Sequence, residues 1–190
     1  EISEDNNYFI ENITQLISPS IVPLENIISC NEGLTQGTFD FSFYENLVKT
    51  DPNQTVTFYE TAQDAINETN PIFNTSTYVA TSTPQEIHIR IENENCYSLN
   101  SFLLVTKNCP PTVYNYVSGN SDGFNDGFFI DGLRDIFLHF EIKIYNRWGR
   151  WLWTGNHSKN DWDGFVENGI DEKYAPAGTY YYILNLNDPD

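Results

Sequence analysis

The chain is poor in basic residues, lacks methionine, has few cysteines and contains no long apolar run, and each shortage removes a class of function. Nine Lys and Arg stand against 27 Asp and Glu, a formal net charge of −18. That balance repels phosphate backbones and anionic headgroups, so no nucleic-acid partner is expected. No segment approaches the roughly 20 apolar residues that span a bilayer, so the chain is not expected to be membrane-spanning. The N-terminus has neither the basic nor the apolar region of a signal peptide. With Met absent throughout, the expectation is an internal or C-terminal piece of a longer polypeptide whose export signal lies upstream. His88, His139 and His157 are scattered singly and no residue stands in a GxSxG elbow, which leaves no nucleophile and base together.

The three cysteines, Cys30, Cys96 and Cys109, have no CxxC spacing and no neighbouring His, which argues against zinc. One disulfide and one spare thiol is the simplest arrangement. Cys30 precedes the first strand pattern and Cys96 follows a late one, so Cys30 with Cys96 is the expected pair, with all three pairings open to sequence.

What the chain has in quantity is aromatic residues: 13 Phe, 12 Tyr and 4 Trp, 15% of the total. That is enough apolar area to offset the ordering entropy of a folded core. Period-two alternation predicts strands over 38–44 (Phe39, Phe41, Phe43), 55–60 (Val56, Phe58), 85–92 (Ile87, Ile89, Ile91) and 101–106, with Pro52, Pro71 and Pro84 breaking the chain between them. Residues 63–67 have room for one helical turn. In the second half, Phe140, Ile142 and Ile144 alternate with polar neighbours, Asn146-Arg147-Trp148-Gly149 supplies a turn, and Trp151 and Trp153 are expected on one face of the return strand. Tyr180, Tyr182, Leu184 and Leu186 share a face of a last strand. The predicted fold is all-β: two consecutive β-sandwich domains over 24–108 and 110–190, joined by a short linker at Pro110-Pro111, with 1–23 as the tail of a preceding repeat or a linker.

Four segments carry a resemblance: Asn120-Ser-Asp-Gly-Phe-Asn-Asp126, Ile144-Tyr-Asn-Arg-Trp-Gly149, Asp161-Trp-Asp-Gly164 and Pro176-Ala-Gly-Thr-Tyr-Tyr-Tyr182. In this order and spacing they resemble the gliding-motility-associated C-terminal domain, the type B sorting signal of type IX secretion, over about 80 residues from Cys109 onward. The upstream half is similar to the immunoglobulin-like (Ig-like) repeat that often precedes it, through Phe39-Asp-Phe41, Val56-Thr-Phe-Tyr59, Asp64-Ala65 and Ile87-His-Ile-Arg-Ile91 with Cys96-Tyr97. The resemblance implies the C-terminal part of a large secreted adhesin, recognised by the type IX translocon and attached to the surface of a Gram-negative cell through an outer-membrane β-barrel partner. No catalysis is implied. The chain departs from the family in its loop, where Gly119-Asn120-Ser121-Asp122-Gly123 replaces Pro-Asn-Gly-Asp-Gly. Relatives continue beyond Asn187-Asp188-Pro189 with a further strand; if that strand is missing, a sheet edge is left unpaired and open to β-augmentation.

Each candidate site has a plainer alternative. Asn120, Asp122, the Phe124 carbonyl and Asp126 alternate like calcium ligands, with Asp131 at position 12 of such a loop. Their alternative is an Asx-rich turn closed on its own backbone. Asp161 and Asp163 have the look of a glycosidase pair, yet Asp163 as a turn residue and Trp162 as a core plug account for them more simply. Arg147, Trp148 and Gly149 at the hairpin tip, with Tyr180 and Tyr182, are the partner-binding candidates, since Arg and Trp are common interface anchors; the plainer alternative for Arg147 and Trp148 is a cation-π stack or turn stabiliser. A competing function is a carbohydrate- or surface-binding β-sandwich. Trp151, Trp153 and Trp162 exposed in a coplanar row would favour it, and their burial would favour the sorting module.

Overall fold

The computed structural model describes residues 16–168 and 173–188. The fold is all-β, with two short helices. A four-stranded sheet has the order β1 (Ile27–Cys30), β6 (Tyr97–Lys107), β5 (Gln85–Glu92), β3 (Thr55–Tyr59), and a two-stranded ribbon joins β2 (Gly37–Phe39) to β4 (Tyr78–Ala80). Further along, β7 (Thr112–Val113) pairs with β8 (Ile130–Asp131), and a three-stranded sheet has the order β10 (Trp151–Asn156), β9 (Glu141–Asn146), β11 (Tyr180–Asn185). By compactness the chain divides into one unit of residues up to Ile27, Asp40–Thr77 and Glu86–Leu103, and a second of Ile28–Phe39, Tyr78–Gln85 and Leu104 onward.

In the first unit the alternation of β5 does what its sequence requires. Ile87, Ile89 and Ile91 are fully buried, and antiparallel register sets Ile89 opposite Phe58 and Ile91 opposite Val56. Phe41 meets Phe58 and Phe102 at 5.2 and 5.5 Å between ring centroids, tilted and edge-on as aromatic quadrupoles favour. The strand predicted over 38–44 stops early. The Asp40 carboxylate accepts hydrogen bonds from the Ser42 backbone N–H and hydroxyl, a local turn that competes with the ladder. The chain then enters α1 (Tyr44–Val48), which buries Tyr44 and Val48 and leaves Phe43 exposed.

The predicted helical turn is α2 (Ala62–Asn67), capped by Thr61, whose hydroxyl accepts from the Asp64 N–H at 3.0 Å. Arg90, on the polar side of β5 by alternation, is nonetheless only 5% exposed. Its guanidinium bridges Glu68 at 2.8 Å and Glu92 at 3.0 Å, donates to the Ala65 carbonyl and stacks 3.6 Å over the Tyr97 ring. Its charge is paired and each guanidinium nitrogen has a partner, which is what makes burial tolerable.

The disulfide differs from the expected pairing. Cys30 bonds to Cys109, with Cα atoms 5.5 Å apart, and Cys96 keeps a free thiol. The reason lies in sheet order. β1 lies beside β6, and the Asn31 N–H donates to the Lys107 carbonyl at 2.9 Å, so the end of β1 meets the end of β6. Cys96 stands before the opposite end of the same 11-residue strand. At about 3.3 Å per residue that places it some 30 Å from where β1 finishes.

Within the second unit, Ile130, Leu133, Phe137, Phe140, Ile142, Ile144, Leu152, Trp153 and Trp162 form one buried core. β9 runs through its middle, with β10 and β11 both antiparallel to it. Trp151 and Trp153 do not share a face. A β-bulge between them sets Trp151 opposite Tyr145 and Trp153 opposite Ile144, which breaks the period-two alternation. Leu152 and Trp153 are both buried, while Trp151 is partly exposed and donates from its indole N–H to the Thr154 hydroxyl.

Candidate functional site

Three of the four motifs singled out in the sequence meet around Trp162. Its ring is 4% exposed, its indole N–H donates to the Phe165 carbonyl at 2.8 Å, and Tyr180 meets it edge-on at 5.2 Å. Asp163 Oδ1 accepts the Phe165 N–H, and Gly164 takes a φ of +99°, so this pair makes the turn. The loop of the first motif runs against it. The Phe128 N–H donates to the Trp162 carbonyl, and a Cβ at position 119 would collide with the Asp163 carbonyl, so only glycine passes there. From the other side the Ala175 N–H reaches the Gly164 carbonyl, and the Tyr180 hydroxyl donates to that of Pro176. Between these segments lies an open groove of about 640 Å³, lined by Tyr116, Trp162, Asp163, Tyr174, Tyr180 and Tyr182 among others.

The carboxylates that suggested chemistry are otherwise engaged. Asp161 forms a salt bridge to Arg134 at 2.8 Å. In the loop, the Asp122 carboxylate accepts from the Phe124 N–H at 2.9 Å and the Asn120 amide at 2.8 Å, which hold its proton affinity below the usual carboxylate value. Asp126 Oδ2 accepts from the Gly123 N–H, and the Phe124 carbonyl accepts from the Ser118 hydroxyl. These bonds close the loop on its own backbone, as an Asx-rich turn does. Asp126 Oδ1 is buried and has no hydrogen-bond partner. Asp131 stands on β8 in register with Thr112. Among the described residues no group of three or more His, Cys, Asp or Glu is placed to hold a metal ion. His88 is half-buried, 3.8 Å from Glu86, while His139 and His157 are exposed.

The fourth motif is the hairpin tip between β9 and β10. Asn146 Oδ1 accepts from the backbone N–H groups of Trp148 and Arg150, both at 3.0 Å, and Gly149 takes a φ of +76°. On this turn Trp148 is 77% exposed, with the Arg147 guanidinium 4.7 Å from its ring centroid. Tyr180 is half-buried against the core, while Tyr182, 42% exposed, meets Phe128 at 5.4 Å between ring centroids. The outer face presents Tyr181 and Ile183, 60% and 61% exposed, which the sequence reading passed over. Alternation alone contained that signal, because residues 181 and 183 fall opposite the apolar set 180, 184 and 186. In the order of its sheet β11 is an edge strand.

Comparison with known families adds two findings. The profile of the CHU_C type IX secretion signal domain matches residues 111–190, and that of the Flavobacterium inter-domain disulphide bond domain matches residues 26–110. No curated protein and no solved structure matches the chain. Neither matched family is enzymatic. Cys30 and Cys109 stand at the two ends of the second match.

Proposed function

The chain belongs over residues 111–190 to the type IX secretion signal domains and over residues 26–110 to the Flavobacterium inter-domain disulphide bond domains, and from that premise we propose that it is the secretion and attachment part of a large cell-surface adhesin. Residues 111–190 target their carrier to the type IX system. In our reading the translocon, and then an outer-membrane β-barrel partner, grips the protruding hairpin tip, and residues 26–110 act as an Ig-like stalk. The observation that carries this is Trp148. A tryptophan 77% exposed on a turn held by two side-chain hydrogen bonds adds nothing to the core, and a rigid exposed aromatic beside an Arg is the composition of an interface hot spot.

The carbohydrate-binding alternative has less support, since Trp153 and Trp162 are 7% and 4% exposed and no coplanar row of tryptophans stands on the surface among the described residues. The test is a fusion of the whole chain to a periplasmic reporter in a host with a working type IX system. We expect surface display that is lost when the machinery is deleted and reduced severalfold by Trp148→Ala, while thermal stability stays within about 0.5 kcal/mol. Reporter retained in the periplasm of the competent host overturns the reading.

A further inference from the structure

We infer that the Cys30–Cys109 bond makes the first module a mechanical bypass: tension along the polypeptide crosses from residue 30 to residue 109 through one covalent link and leaves the fold between them unloaded. This rests on the attachment reading above, in which one end of the chain is held at the cell surface while a bound ligand pulls on the other.

The reasoning is one of connectivity. A folded stretch in series with a stretched chain is loaded through its first and last residues. Here those ends are joined: the bond closes 79 residues of sequence across a Cα separation of 5.5 Å. Force arriving at Cys30 meets a single disulfide in parallel with a long folded segment, and the short covalent path carries it. Both helices, β2 to β5 and all of β6 fall inside the shielded loop. Their sheet would otherwise be the weak element, since each hydrogen bond in it contributes little net and the bonds can open one after another.

The position of the bond matters as much as its presence. Cys30 ends β1, and Cys109 directly precedes Pro110-Pro111, so the link sits where the chain enters and leaves the module. A Cys30–Cys96 bond would leave β6 in the load path. β6 lies between β1 and β5 in the sheet, and pulling on it would strip the sheet from its middle.

Residues 17–26 stay outside the loop. They are tied down mainly through side chains: Asn93 to the Ile17 carbonyl, Ser98 to that of Pro19, Asn100 to that of Val22, and the Leu103 N–H to the Asn26 side chain. Under load this strap and β1 peel first, and the peeling stops at Cys30.

The test stretches the full chain between handles at its two ends, folded and oxidised, then reduced in place. Reduction is expected to add a contour length of about 260–280 Å, the span of 79 extended residues, and the Cys30→Ser/Cys109→Ser double variant to show that length without reductant. An increment of about 220–240 Å, the span of the 66 residues from Cys30 to Cys96, or no increment, overturns the bypass. Because the readout is extension rather than export, its failure is distinguishable from failure of the attachment reading, which the reporter fusion tests separately.

Discussion

At the scale of single residues, the second core is built around one glycine. A Cβ on Gly155 would collide with the Trp153 ring and press on Ile142, because the indole packs against the β10 backbone at that point. Gly155→Ala is therefore expected to destabilise the second unit by about 1–3 kcal/mol, the usual cost of overpacking a filled core, read from the urea midpoint of its tryptophan fluorescence. A neutral result would mean that the ring does not rest there. Trp151, two positions earlier, shows how local the decision is. The same residue type lies partly in solvent, because the bulge between the two tryptophans breaks the alternation of the strand. Arg90 is the reverse case, a charge placed on the solvent side by alternation but enclosed by Tyr97, by Glu92 on its own strand and by Glu68 from the end of α2.

At the scale of elements, α2 and the loop after it hang on Asp64. Its carboxylate accepts from the hydroxyls of Thr61 and Thr69 and the amide of Asn70, and those bonds hold its proton affinity below the usual carboxylate value, led by the Thr61 bond. A group whose folded-state pKa is depressed contributes stability that is fully present above its unfolded value and is lost as pH falls through the folded one. We expect the protein to lose stability as pH drops below about 4, and Asp64→Asn to be less stable at neutral pH with a shallower acid limb, measured by thermal melts across that range. An unchanged acid limb would remove Asp64 from the account. The hairpin from β9 to β10 belongs to this scale too. Its turn was legible as Asn-Arg-Trp-Gly, and β9 as alternating apolar residues, because hairpins are encoded over a few adjacent positions. β1, β4, β7 and β8, each of four residues or fewer, were not legible. Runs that short carry no period, and only their partners in the sheet make them strands.

At the scale of the whole molecule, the disulfide dominates. Closing a loop of 79 residues removes unfolded-state entropy worth on the order of 4 kcal/mol. Cys30→Ser and Cys109→Ser are each expected to lower stability by about that much, and Cys96→Ser by no more than about 0.5 kcal/mol, compared by denaturation with and without reductant; a large cost at Cys96 in place of Cys109 would restore the Cys30–Cys96 pairing. By itself the sequence determined the class of fold, the strands with a clear period, the hairpin turn, and the four motifs that mark a type IX secretion signal, since alternation, turn chemistry and motif spacing are all properties of neighbouring residues. Tertiary structure alone decided which cysteines meet, which of the tryptophans reach solvent, and that the loop, the Asp-Trp-Asp-Gly turn and the start of β11 close on one another around Trp162. Those outcomes depend on strand order and on a one-residue bulge, and both are set by how distant segments pack.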